Sequence, residues 1–96
     1  MKMVMISYNE AIDPDIMEVL KGCGLKNYTK VAAAYGKGTT SGTHLGNDIW
    51  PGLNSVLFIA CEDKQANNLI SAVKQLRQKF GYEGAKAFLM PIEELT

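Results

Sequence analysis

The order of apolar and turn-forming segments predicts an α+β sandwich in which a four-stranded antiparallel sheet carries two helices on one face, in the order β-α-β-β-α-β. Three observations carry this expectation. Four apolar runs of strand length occur, Met3 to Ser7, Tyr28 to Tyr35, Ser55 to Cys61 and Ala85 to Met90. Apolar residues at helical spacing lie between the first two runs and again between the last two. The middle pair is joined by a glycine-rich stretch with no periodicity, Gly36 to Asn54.

Met3 to Ser7 begins almost at the first residue, as a strand tied early into a sheet. Helix signals follow. Asp13 is placed to cap with its carboxylate, Pro14 suits the first helical position, and Asp15 adds negative charge to the first turn. Ile16, Val19, Leu20 and Cys23 share one face, and Gly22 and Gly24 end the helix. Tyr28 to Tyr35 (YTKVAAAY) reads as the second strand, although its three alanines suit a helix as well. SVLFIAC at Ser55 to Cys61 is a continuous run of branched and aromatic residues, the strongest strand signal in the chain. Asp63 is placed to cap a second helix that buries Ala66, Leu69, Ile70, Val73 and Leu76, with Lys74, Arg77 and Lys79 near its negative end and Gly81 closing it. Ala85 to Met90 supplies the last strand before Pro91.

This order folds as a ferredoxin-like sandwich over residues 1–96, read as one domain. The strands imply more. A sheet with helices on one face and water on the other should alternate apolar and polar side chains, yet the first, third and fourth strands are apolar at nearly every position. Val56, Phe58 and Ala60 must point one way and Leu57, Ile59 and Cys61 the other. Leaving either set in water forgoes about 1.5 to 3 kcal/mol per large side chain, so a homo-oligomer that covers the second face is expected.

Ten basic and ten acidic residues cancel. That balance lacks the basic footprint of nucleic-acid and anionic-membrane binders, so neither is expected as a partner. Cys23 and Cys61 lie far apart in apolar contexts and read as buried thiols of a reducing compartment. No run approaches the roughly 20 apolar residues of a membrane span, and a cytoplasmic location is expected.

The segment from Gly36 to Asn54 holds five glycines and Pro51, which excludes a strand or helix interior. An irregular connection this long in a small chain usually carries function. It gathers Lys37, Thr39, Thr40, Thr43, His44, Asp48 and Trp50 on a backbone whose amides are open to a ligand. His44 with Asp48 suits a divalent ion such as zinc or copper, although a lone loop histidine is more often a polar surface residue and zinc sites need more ligands than this segment supplies. Trp50 followed by Pro51 and Gly52 is better read as an anchor for the loop's return than as a partner-facing ring. Lys37 is not in a Walker A motif, because the segment lacks the spaced Gly-Lys-Ser/Thr ending. No nucleophile and base stand together, so no enzymatic activity is expected.

With this topology and loop, the chain resembles the PII signalling family along essentially its whole length. GLKNYTKVAAAYGKGTTSG at Gly24 to Gly42 resembles the family's second strand running into its T-loop. SVLFIACED resembles the third strand entering the second helix, and FGYEGAKAFLMPIEEL resembles the B-loop, the fourth strand and the start of the tail. The resemblance implies a homotrimer with ligand clefts between subunits, an adenine nucleotide effector (ATP, ADP or AMP), and a protein partner, such as a transporter or an enzyme, engaged by the T-loop. It places Tyr35, Gly36, Lys37 and Gly38 at the base of the T-loop and Gly81, Gly84 and Lys86 at the B-loop. Thr39, Thr40, Thr43, His44 and Trp50 fall on the partner loop. The chain departs from the family pattern at Ser55, where a cleft lysine is usual, and at Ala85, where an Asp-Gly pair precedes the lysine. The loop has no tyrosine, which argues against regulation by uridylylation. The alternative reading is a trimer similar to CutA-type metal-tolerance proteins, in which His44 and Asp48 bind the metal.

Overall fold

The computed structural model describes residues 1–35, 54–81 and 84–96. Its elements are β1 (Lys2–Asn9), a 3-10 turn (Glu10–Ile12), α1 (Asp13–Gly22), β2 (Thr29–Ala34), β3 (Asn54–Cys61), α2 (Asp63–Phe80) and β4 (Ala85–Pro91). All strand pairs are antiparallel, in the order β2-β3-β1-β4. The expected α+β sandwich is therefore the observed one.

Pleating divides each strand between two faces. Val4, Ile6 and Tyr8 of β1 and Ser55, Leu57, Ile59 and Cys61 of β3 are buried under the helices. Ile16 and Leu20 of α1 and Ala66, Leu69 and Val73 of α2 close the core from above, while Ile70 and Leu76, predicted on the same stripe, are half-buried at its margin. The opposite face carries Met3 and Met5 of β1, Val56, Phe58 and Ala60 of β3, and Phe88 and Met90 of β4, aligned by the registers Met3↔Ala60, Met5↔Phe58, Met3↔Met90 and Met5↔Phe88. Phe58, Phe88 and Met90 remain 36%, 38% and 36% exposed in the protomer, so this apolar face is open.

Both helix starts differ from expectation. Asn9, not Asp13, provides the side-chain cap: its Oδ1 accepts from the Ala11 N–H at 2.9 Å and so opens the 3-10 turn. Ile12 then occupies the N-cap of α1 with no side-chain bond, Asp13 is the first helical residue and Pro14 follows it. At α2 the N-cap is Glu62, again without a side-chain bond, and Asp63 instead meets the N-terminal ammonium at 2.9 Å. That contact holds the Asp63 carboxyl below the usual carboxylate range. In both helices the acidic residue still sits in the first turn, where the helix dipole favours negative charge. At α2 the N-terminal ammonium, rather than the helix backbone, holds the carboxylate.

The end of α1 follows prediction closely. Gly24 adopts φ +73°, its N–H donates to the Lys21 carbonyl at 3.0 Å, and the Leu25 N–H donates to the Leu20 carbonyl at 2.9 Å. This is a Schellman termination, which needs a residue free of the left-handed steric penalty at Gly24.

Candidate functional site

Antiparallel pairing brings four strand ends to one end of the sheet. Asn9 pairs with Asn54, Tyr8 with Ala85 and Ala34 with Asn54, so β1 and β2 finish where β3 and β4 begin. The sequence-predicted ligand residues are distributed along this end. Tyr35 follows β2 directly and is 83% exposed. Gly81 and Gly84 lie in the α2–β4 connection and Lys86 near the start of β4. Gly36, Lys37 and Gly38, the loop residues Thr39, Thr40, Thr43, His44 and Trp50, and the metal candidates His44 and Asp48 lie outside the described residues. Among the described residues no three His, Cys, Asp or Glu side chains gather as a metal site.

The β4 side of this end is tied down by backbone. The Asn9 N–H donates to the Gly84 carbonyl at 2.9 Å, and the Gly84 N–H to the Gly81 carbonyl at 3.3 Å. Gly81 adopts φ +91°, which a side chain would strain. Gly84 has no such requirement: a Cβ there would sit 3.6 Å from the Gly81 oxygen and the Phe80 Cβ, an ordinary contact. Lys86 is exposed on the open face of the sheet, with its Nζ 5.5 Å from the Phe88 ring centroid, a weak cation–π contact that leaves the ammonium accessible.

On the β2 side the backbone is strained. Val31 pairs with Val56 and Ala34 with Asn54, so β2 carries one residue more than β3 over this interval, a β-bulge. Ala33, within the bulge, has φ +56°, a left-handed conformation that costs an L-residue about 1 kcal/mol.

Tyr35 and Lys86 do not converge within one protomer. β2 and β4 are the two edges of the sheet, with β3 and β1 between them. Three strand spacings separate them by about 14 Å.

Beneath the same end, on the helix-facing side, lies a polar cluster that the sequence reading did not anticipate. The Tyr8 hydroxyl donates to Asp13 Oδ1, and Lys30 Nζ donates to the same oxygen at 2.9 Å and to Glu10 Oε1 at 3.3 Å. The Ser55 hydroxyl, fully buried, donates to Glu10 Oε2. Burial, and then the Asp13 contact, holds the Tyr8 phenol well above its ordinary range, so it stays a proton donor. The Tyr8 hydrogen bond, reinforced by Lys30, holds the Asp13 carboxyl below its ordinary value, and the bond to Asp13 raises Lys30. The cluster joins β1, the 3-10 turn, α1, β2 and β3 where the 36–53 segment leaves and returns. Ser55 thus serves the protomer's own interior.

One signal in the sequence pointed here. Tyr8 lies in phase with Val4 and Ile6 on the buried side of β1, and a buried phenol needs a partner for its hydroxyl.

The cysteines contribute no reactive group to this end. Cys61 is buried and Cys23 half-buried, and burial raises both thiols above their ordinary values. No helix among the described residues is long and apolar enough to cross a membrane.

Comparison with known proteins places this architecture. The CPII protein of Thiomonas intermedia K12, a nitrogen regulatory PII-like protein solved bound to ADP, AMP and bicarbonate, superposes with a TM-score of 0.72 at 19% identity, covering 95% of this chain and 88% of that one. Its apo form gives 0.66 at 17% identity, covering 95% and 87%. A protein of Thermus thermophilus, described as a PII-like signaling protein, gives 0.65 at 22% identity, covering 92% and 81%. No curated protein matches the sequence. The sequence profile described as Nitrogen regulatory protein P-II, by contrast, matches residues 1–96, and the chain belongs to that family.

Proposed function

We propose that the protein is a PII-type regulator that assembles as a trimer and binds an adenine nucleotide between subunits. The observation that carries this reading is the split of the candidate site: Tyr35 and the Gly81–Gly84–Lys86 group share one end of the sheet but occupy opposite edges. A ligand that uses both needs the β2 edge of one copy beside the β4 edge of another. The open apolar face gives copies a reason to associate, since covering its aromatic and methionine side chains recovers the transfer free energy that the protomer leaves unclaimed.

Within such a cleft the roles follow from chemistry. Glycine backbone at Gly81 and Gly84 lets amides approach phosphate oxygens, and Lys86 supplies a point charge. Tyr35, with Gly36, Lys37 and Gly38, lines the opposing wall. Ligand contacts at the base of the 36–53 segment change the affinity of Thr39, Thr40, Thr43, His44 and Trp50 for a partner protein. The ADP- and AMP-bound structures of the CPII protein support an adenine nucleotide as the effector class.

The test is native mass spectrometry with ATP, ADP and AMP on the wild type, Gly84→Ala and Lys86→Ala. A trimer that takes up as many as three nucleotides is the expected result. Because the protomer has room for a Cβ at residue 84, Gly84→Ala should fold normally and bind nucleotide more weakly. Unchanged affinity in both variants would refute the assignment of these residues. A monomer, or a trimer indifferent to all three nucleotides, would refute the function.

A further inference from the structure

At the far end of the sheet from the loop bases, a cleft of about 310 Å³ opens between the last turn of α1 and the start of β2. Its apolar walls are Met17, Leu20 and Leu25, and Lys21, Lys26 and the half-exposed Tyr28 stand around them. Among the described residues no acidic side chain lines it and neither lysine is in an ion pair. The Schellman termination fixes the wall: Gly24 and Leu25 N–H groups bond to Lys21 and Leu20 carbonyls, and the Cys23 N–H bonds to the Val19 carbonyl at 3.1 Å. The Val19, Leu20 and Lys21 carbonyls thus have backbone partners and do not call on the lysine side chains.

We infer that this cleft is a second small-molecule site, selective for an organic carboxylate with a compact aromatic or branched apolar body. The volume is at the lower limit of ligand pockets and holds about ten non-hydrogen atoms at the volume that water occupies. Apolar walls require a hydrocarbon body, because a bare inorganic anion would lose hydration there without compensation. Two lysines and a phenol can meet a single carboxylate at the mouth, where solvent still reaches the charge. The site does not overlap the proposed nucleotide cleft. β2 runs six residues from Thr29, beside this pocket, to Ala34 at the loop base, a separation of roughly 17 Å.

Titration of the full-length ¹⁵N-labelled protein with 3-phenylpropanoate, followed by amide chemical shifts, tests the site. Saturable shifts confined to residues between Met17 and Tyr28, with a dissociation constant of about 1 mM or tighter, are expected. The neutral 3-phenylpropanamide should bind about fivefold more weakly, and Lys21→Gln with Lys26→Gln should weaken the carboxylate by a similar factor. Both lysines are exposed, so the double variant should keep its fold. Equal binding of acid and amide would overturn the proposal by showing a nonselective apolar cleft. Absence of saturable shifts in this region would overturn it as well, whatever happens at Tyr35 and Lys86, where a nucleotide would report separately.

Discussion

The two faces of the sheet are built from nearly the same side chains and meet different fates. Leu57 and Ile59 point into a core closed by two helices and are fully buried, whereas Phe58, between them on the same strand, is 36% exposed on a face that no described element of the protomer covers. The contrast teaches that apolar alternation in a strand has two separable meanings. One face encodes the fold of the protomer, and the other is the face that the proposed assembly would cover.

The largest effect should come from breaking the closed face. Leu57→Ala removes buried volume that cannot refill, at a cost of about 2–5 kcal/mol. The melting temperature should fall by about 10 °C or more. Phe58→Lys, one residue away, should leave the far-ultraviolet circular dichroism of the protomer intact while shifting sedimentation from the proposed trimer to monomer. If Phe58→Lys unfolds the chain as Leu57→Ala does, the two faces are not separable. If it sediments as wild type does, the open face is not the subunit interface.

A smaller effect tests the polar cluster under the loop end. Tyr8→Phe keeps the buried ring and deletes only the hydroxyl that Asp13 accepts, which should cost about 1.5 kcal/mol at neutral pH. The pH dependence has a fixed sign. Asp13 has a folded value below its unfolded one, so its contribution is present above the unfolded value of about 4 and is lost as pH falls through the folded value. The gap between wild-type and Tyr8→Phe melting temperatures should therefore be widest near neutrality and close as the solution is acidified below about pH 4. A gap that stays constant would mean that the hydroxyl does not act through the Asp13 carboxylate.

What could be read from the sequence follows the range of the interactions involved. Element order, the buried stripe of α2 and the two-faced character of β3 are local periodicities, and they appear where Ala66, Leu69, Val73 and Leu57 indicated. The glycine stop of α1 is local too, down to the positive φ of Gly24. Asp13 and Asp63 were legible as helix-start residues but not in their partners, because Lys30 and the N-terminal ammonium reach them from other elements. The Ser55–Glu10 bond spans 45 positions, beyond any local pattern. At the candidate site, the glycines and Lys86 were legible as residue types. The separation of Tyr35, at the β2 edge, from Gly81, Gly84 and Lys86, at the β4 edge, was not, because it depends on strand order.

The smallest effect lies in the bulge before Tyr35. Ala33 holds φ +56° where β2 carries its extra residue. Glycine would remove the left-handed penalty of about 1 kcal/mol but give back part of it as unfolded-chain entropy. Ala33→Gly should therefore stabilise the protein by only about 0.5 kcal/mol, a rise of about 2–4 °C in melting temperature. The sign matters more than the size. Most substitutions lower stability, so a rise at an exposed alanine would show that the strained conformation exists in solution at the root of the 36–53 segment. A fall would mean that the strand runs regularly there and that the bulge is absent. In that case the pairing of β2 with β3 would slip by one residue beyond Val31, and Tyr35 would leave the sheet on the opposite face.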